Sequence, residues 1–484
     1  MRISTVLNVF ATFLLILSFF LLIPLFVGWY YNESGHGIPF LIPIGINVAV
    51  FLVIKGATFR RERKELSAKG GFLFVTITWF GAAATGALPL FLSGAVPSYT
   101  DAYFEIMSGF TTTGASILTS IESLPHSILF WRSLTHWLGG MGIVVLTVAI
   151  FPLLGTGGFQ LVKAEAPGPS VDKVTPRITS TAKILWTIYL VFTLAETLLL
   201  MAGGMNLFDS LTHTFGTLAT GGFSPKNASV GYYQSAYIHN VITVFMLLAG
   251  VNFILYHRLI MGNLISVRKN SELKAYIGIF AVAVGIIAIN LFRSEIYDSF
   301  GKALRFSGFQ AASILTTTGY ATADFDTWPA MSKIVLFVLM FIGGSSGSTG
   351  GGIKVVRIVT MFKLSVKELK YLIHPRGVFN IQLNGSSVRN DIIHVIAGFL
   401  FLYLLMLLVT AMVVASAGND IVTSFSAALV TLGNIGPGFG RIGPTLNYAY
   451  MPSYVKWFLS FIMALGRLEL YTILVLFTRR FWLR

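Results

Sequence analysis

Four short segments hold residue types suited to ion chemistry rather than to catalysis. They read Thr111-Thr112-Thr113-Gly114-Ala115-Ser116, Ala219-Thr220-Gly221-Gly222-Phe223-Ser224, Thr316-Thr317-Thr318-Gly319-Tyr320-Ala321 and Gly433-Asn434-Ile435-Gly436-Pro437-Gly438. Aligned on Gly114, Gly222, Gly319 and Gly436, they recur at intervals of 108, 97 and 117 residues. Glycine accepts φ > 0 and so lets the chain turn its carbonyls toward an axis. Four such strands facing one another would replace a cation's water shell with carbonyl oxygens. Single glycines in a membrane often do no more than let helices pack closely. Four aligned Thr/Asn–Gly segments ask for more, because a repeat on this scale implies related elements around one axis.

Two further features stand out. The run Gly343-Gly344-Ser345-Ser346-Gly347-Ser348-Thr349-Gly350-Gly351-Gly352 interrupts an apolar stretch. Each glycine costs about 1 kcal/mol in a helix relative to alanine, so the run predicts a loop in mid-span. Such a loop cannot face lipid and should project into the cavity beneath the four segments. As a phosphate loop it fails, since Lys354 follows Gly352-Ile353, no Ser/Thr comes next, and no strand precedes it. Arg467 lies about a dozen residues into the last apolar run. At that depth an arginine costs at least ~2.5–3.5 kcal/mol, so it should face a pore or pair internally. Its repeat-aligned position matches the start of the glycine loop, which predicts a positive barrier hydrogen-bonded to the loop's carbonyls. On a continuous helix Glu469 would point elsewhere.

Other chemistry is poorly served. Intramembrane ionisable groups such as His136, His257 and Glu196 are candidates by default. The histidines are not at metal-ligand spacing and no Ser–His–Asp constellation is evident; His136 is expected to hydrogen-bond between helices. The absence of cysteine excludes disulfides, thiolate chemistry and Cys-ligated metals.

The elements that must position these residues are membrane spans. Of 484 residues, 55% are apolar and 11% charged, against about 25% charged in soluble proteins; the mean hydropathy is +0.77. Apolar runs cover 6–31, 38–54, 72–92, 127–154, 184–202, 236–255, 275–292, 331–341, 392–417 and 455–477. Most reach the roughly 20 residues that a 30 Å hydrocarbon core requires. The first run is too long for a signal peptide, with Arg2 its only leading charge. Before each Thr/Gly segment comes an amphipathic stretch too short to span, which predicts a re-entrant pore helix and filter strand.

Charge orients the spans. Windows 55–71, 154–183, 256–274, 354–391 and 478–484, with Arg2, hold 25 basic and 7 acidic residues; windows 30–38, 72–131, 203–240, 293–332 and 418–455 hold 5 and 10. The positive-inside rule places the first set and both termini in the cytoplasm, and the acidic side would attract cations. The net charge of +15 therefore reflects orientation rather than nucleic-acid binding. The basic runs 60–64 and 363–370 are read as ordinary cytoplasmic loops.

At the four segments the sequence resembles the Trk/Ktr superfamily of potassium-uptake proteins, and within it the bacterial TrkH branch. The resemblance extends over nearly the whole chain. It includes Leu88-Pro89-Leu90, Ala102-Tyr103-Phe104-Glu105, His136-Trp137-Leu138-Gly139-Gly140-Met141-Gly142, Ala166-Pro167-Gly168-Pro169 and Gly466-Arg467-Leu468-Glu469. It implies an all-α integral membrane fold: two N-terminal helices and a basic loop (1–71), then four M1–pore-helix–M2 repeats (72–183, 184–274, 275–391 with the glycine loop, and 392–484). These would form a pseudo-tetrameric potassium-channel-like pore. It further implies K+ as the transported ion with no organic cofactor, a homodimer in the bacterial inner membrane, and no nucleic-acid partner. A cytosolic TrkA-type ring that binds ADP/ATP or NAD(H) would regulate it. The filter would comprise residues 111–114, 219–222, 316–319 and 433–436, and the gate residues 343–352 with Arg467. Only one glycine aligns in all four segments, so fewer strong potassium sites than in a TVGYG filter are expected. Symport of K+ with H+ or Na+ is the alternative mechanism.

Overall fold

The computed structural model describes residues 3–33, 35, 37–58, 66–142, 178–384 and 386–483. Six described helices are long and apolar enough to cross a membrane, and eight spans result if each of two bent pairs is one crossing. The chain is a multi-pass membrane protein. Its first two helices, Ile3–Tyr30 and Gly37–Thr58, pack against each other.

One sequence of elements then occurs four times. A long first helix leads into a short, buried second one, and a shorter third helix follows the Thr/Gly segment. The long helices are Ala68–Gly86 (extended by Leu88–Leu92), Ile178–Ala202, Ser271–Arg293 and Asn390–Ala415. The short ones are Tyr99–Phe110, Leu207–Leu218, Phe300–Leu315 and Ile421–Leu432. Three of the short helices begin on side-chain caps that satisfy free backbone N–H groups: Asn206 accepts from Asp209 N, Ser299 from Lys302 N and Asp420 from Thr423 N, at 2.7, 3.2 and 2.9 Å. The inner halves of these helices are buried, whereas the long helices expose Leu194, Leu198, Val282 and Phe401, as lipid contact demands.

The third helices differ from expectation. The glycine run was the one predicted interruption, yet all four stop after 11 to 15 residues: His126–Gly140, Ala236–Ala249, Ala330–Met340 and Ser453–Arg467. The apolar run 236–255 bends by 92° into Phe253–Ile260, and the run 455–477 bends by 110° after Arg467. Asn252 caps the new helix at the first bend. At the second, Glu469 and Leu470 adopt φ of 55° and 48°. Beyond the glycine run, Val355–Ile373 continues as a helix, followed by a hairpin pairing Gln382–Leu383 with Ser386–Ser387. The basic run 60–64, the motif 166–169 and the end of the apolar run 127–154 lie outside the described residues.

Candidate functional site

Each short helix ends in the same backbone motif. A left-handed residue at C′ lets two N–H groups turn back onto free helix carbonyls, a role usually given to glycine or asparagine. Here it falls to Thr112, Thr220, Thr317 and Asn434, with φ of 52°, 53°, 61° and 55°. Their N–H groups bond Gly109, Thr217, Ile314 and Thr431 O at 3.1, 3.0, 3.0 and 3.4 Å. The next N–H groups, of Thr113, Gly221, Thr318 and Ile435, bond Ser108, Gly216, Ser313 and Val430 O at 2.8–2.9 Å. A β-branched residue in this region is a genuine outlier, and such strain persists only where surrounding structure imposes it. Two residues later Gly114, Gly222, Gly319 and Gly436 also have positive φ, from 79° to 97°. The glycine argument therefore explains only the second of two reversals per segment.

The four segments meet in a closed ring. A Cβ on Gly114 would strike the carbonyl oxygen of Gly221. One on Gly222 would strike Thr318 O, one on Gly319 would strike Ile435 O, and one on Gly436 would strike Thr113 O. The order runs first to second, third, fourth and back to first. All four glycines line one pocket. Asn434 Nδ2 adds a 2.9 Å bond to Thr113 Oγ1 across the closing seam, and the hydroxyls of Thr111 with Thr113 and Thr316 with Thr318 pair at 2.8 and 2.7 Å. Thr111, Thr112, Thr113, Thr220, Thr316, Thr317, Thr318 and Asn434 are buried, as are Ala219 and Ile435; Gly433 caps the fourth short helix.

Side chains from the short helices brace the outer ends of the segments. Glu105 accepts from Ser116 Oγ at 3.0 Å, Ile117 N at 2.9 Å and Arg132 Nε at 2.5 Å. Arg132 in turn donates to Ser224 O at 3.0 Å, tying the first segment to the second. His213 meets Ser224 Oγ at 3.0 Å, and Ser426 Oγ accepts from Phe439 N at 2.7 Å. His136 Nδ1 lies 2.8 Å from Gly109 O, the helix-to-helix bond expected of it. His257 lies on the helix after the first bend. Glu196 is buried on the second long helix, beside Thr217 of the second short helix and Tyr320 of the third segment.

The glycine run lies against the inner ends of the third and fourth segments. A Cβ on Gly350 would come 3.0 Å from Thr316 O, and one on Gly351 within 3.0 Å of Asn434 Cβ. Gly351 N donates to Thr317 Oγ1 at 2.7 Å. The loop is fastened on its other sides as well. Ser345 N bonds Gly250 O at 2.8 Å, Gly347 O accepts from Phe253 N at 3.0 Å, and Thr349 Oγ1 bonds Ala249 O at 3.2 Å. Gly343 N bonds Ile353 O at 2.8 Å, Gly344 O accepts from Val355 N at 3.3 Å, and Ser348 Oγ bonds Ser345 O at 2.6 Å. Gly347 and Gly352 supply positive φ at the turns. Arg467 donates from Nη1 to Thr349 O at 2.7 Å and from Nη2 to Gly139 and Gly140 O at 2.6 and 2.8 Å.

Three participants escaped the sequence reading. Glu272 Oε1 accepts from both Ser346 N, at 2.7 Å, and Val356 N, at 3.1 Å, so one carboxylate holds both sides of the loop. Lys354 donates to Gly350 O. Glu469 pairs with Arg357, a partner that a continuous helix would have hidden. The outer mouth also differs from expectation. Among the described residues, the pocket above the glycines is lined by Arg132 and Lys226 and by no carboxylate. Arg132, Lys333 and Lys456 stand one residue past the counted windows and pair with Glu105, Asp326 and Asp101, so part of the acidic excess is paired with neighbouring cations.

Comparison with known proteins gives one family. The family model described as TrkH, a cation transport protein, matches residues 44–482. The Trk system potassium uptake protein TrkH of Salmonella typhimurium is 43% identical over 87% of this chain and 88% of its own. TrkH of Halomonas elongata is 40% identical over the full length of both. The crystal structure of the potassium transporter TrkH from Vibrio parahaemolyticus superposes with a TM-score of 0.88 at 36% identity, covering 100% of each chain.

Proposed function

Because the chain belongs to the TrkH family of cation transport proteins, we propose that it takes up potassium through a filter made by residues 111–114, 219–222, 316–319 and 433–436. The family is one of transporters, and the chain is not an enzyme. The observation that carries the reading is the closed ring: each glycine sits against the carbonyl preceding the next glycine, and the fourth returns to the first. A dehydrated cation on that axis takes its ligands from backbone carbonyls, while the C-terminal ends of four short helices point partial negative charge toward it. The repeats then run 72–183, 184–274, 275–391 and 392–484, with 1–71 as a flanking pair of helices.

Residues 343–352 form the gate in this reading. They lie under the inner end of the ring, and Arg467 places a guanidinium there while binding the loop at Thr349. A fixed cation on the axis opposes cation passage. Opening requires the loop to leave Thr317, Glu272 and Arg467 together. The charge asymmetry supports cytoplasmic termini, and the relatives' names as parts of a Trk system support association with other Trk components; in this reading the protein works as a homodimer in a bacterial inner membrane with a cytosolic nucleotide-binding ring. Potassium flux into liposomes, with and without that partner and nucleotide, tests the proposal. A reversal potential set by potassium alone supports a gated pore, a pH- or sodium-dependent one supports coupled symport, and absence of flux under all conditions overturns both.

A further inference from the structure

The outer part of the helix Phe300–Leu315 borders a groove of about 560 Å³ that also touches Thr243, Phe280 and Val284 on two neighbouring helices. We infer that this groove binds a membrane glycerophospholipid, its phosphate held by Arg305 and Lys302 and an acyl chain lying over Gly308. The inference needs only that the chain span a bilayer, not that the ring be a filter.

Arg305 carries the argument. Its guanidinium stacks over the Phe306 ring at 4.8 Å, and its Nε is buried without a hydrogen-bond partner. Among the described residues no carboxylate pairs with it; the titratable groups it faces are His239 and Tyr297. A sheltered cation at a membrane boundary is costly unless an anion meets it, and a planar guanidinium matches a phosphate with two parallel bonds. Lys302, one turn earlier, is engaged only by Asp298 at 2.8 Å in an exposed pair, which solvent renders weak. Both cations stand in the first two turns of the helix, the end that faces the membrane boundary in this reading.

The internal repeat supplies a control. At the position of Gly308, counted back from the aligned glycines, the other three segments have Tyr103, Leu211 and Phe425; at that of Arg305 they have Thr100, Phe208 and Val422. A Cβ on Gly308 or Gly301 would meet nothing within 4 Å. The third repeat alone pairs an open apolar trough with an arginine at its outer end. An amphiphile with one anionic group and a hydrocarbon tail fits that combination, and the bilayer supplies it.

The test uses the full-length protein, delipidated in detergent and incubated with dioleoylphosphatidylglycerol, with bound lipid counted per chain by native mass spectrometry. The variants are Arg305→Gln and Gly308→Phe, the latter installing the residue type already present in the fourth repeat. Wild type should retain one lipid that Arg305→Gln releases about tenfold more readily, the equivalent of one charge-assisted hydrogen bond, and that Gly308→Phe excludes by filling the trough. Inorganic phosphate at equal concentration should not displace it. Should Arg305→Gln fail to fold, Gly308→Phe alone decides. Equal retention in the variants, displacement by phosphate alone, or a change in oligomeric state by Gly308→Phe without loss of lipid would each overturn the inference.

Discussion

Arg467 donates a 2.7 Å hydrogen bond to the carbonyl of Thr349, joining the end of the last repeat to the loop of the third. The same guanidinium holds Gly139 and Gly140 of the first repeat. Only a forked donor reaches both places. In the absence of the proposed cytosolic ring, Arg467→Ala should raise potassium flux through the protein by about tenfold, the worth of one charge-assisted bond. Arg467→Lys, which keeps the charge but not the fork, should fall between. Flux into liposomes at equal protein density is the measurement; unchanged or lower flux in a well-folded Arg467→Ala protein would refute the latch.

Glu272 gives a second handle on the loop. Its carboxylate receives Ser346 N and Val356 N, and hydrogen bonds to a charged acceptor are worth about 1.5–3 kcal/mol each. Glu272→Ala strands both donors. It should raise partner-independent flux several-fold and leave potassium-over-sodium selection unchanged, since the ring is untouched. A change in selectivity would show that the loop and ring are not separable.

Thr112 and Thr317 share a strained backbone but differ in what their hydroxyls do. Thr112 Oγ1 is buried with no partner, whereas Thr317 Oγ1 accepts from Gly351 N. The left-handed conformation costs a non-glycine residue roughly 1–2 kcal/mol. Thr112→Gly should therefore raise the unfolding temperature, by the equivalent of about 1 kcal/mol. Thr317→Gly loses its loop bond and should gain little or nothing. Thermal unfolding in detergent distinguishes them, and equal shifts would contradict the assignment.

Asp420 caps the fourth short helix. Hydrogen bonds from the backbone and hydroxyl of Thr423 hold its carboxyl below the usual aspartate range. A lowered folded-state value means that the cap's contribution is complete above the ordinary value near 4. It fades as pH falls through the lower one. Asp420→Ala should cost about 1 kcal/mol at neutral pH and nothing once wild-type Asp420 is protonated. A pH-independent difference in unfolding temperature would exclude this origin.

The sequence reveals what glycine and hydropathy encode. The four aligned glycines, the loop at 343–352 and the unusual depth of Arg467 are all local signals. The helix reversals at Thr112, Thr220 and Thr317 were illegible because threonine is a poor residue for that conformation, and only the surrounding ring enforces it. Glu272 could not be paired with Ser346 or Val356, which lie more than 70 residues away. The bend after Arg467 has Gly466 as its one local hint, where a Cβ would strike Leu432 O; the positive φ at Glu469 and Leu470 has none. Counting charges by window misplaced the mouth for a related reason. Arg132, Lys333 and Lys456 sit just inside the third helices, and only the folded structure places them beside Glu105, Asp326 and Asp101.

The central claim is that four carbonyl-lined segments choose the ion. Its most direct test is rubidium uptake into liposomes competed by sodium, for wild type, Gly319→Ser and Gly436→Ser. A side chain at either position strikes the next segment's carbonyl, Ile435 O or Thr113 O, and must displace it. Both variants should lose discrimination, with sodium competing about tenfold more effectively. If both transport rubidium with wild-type discrimination, the ring of carbonyls does not select the ion.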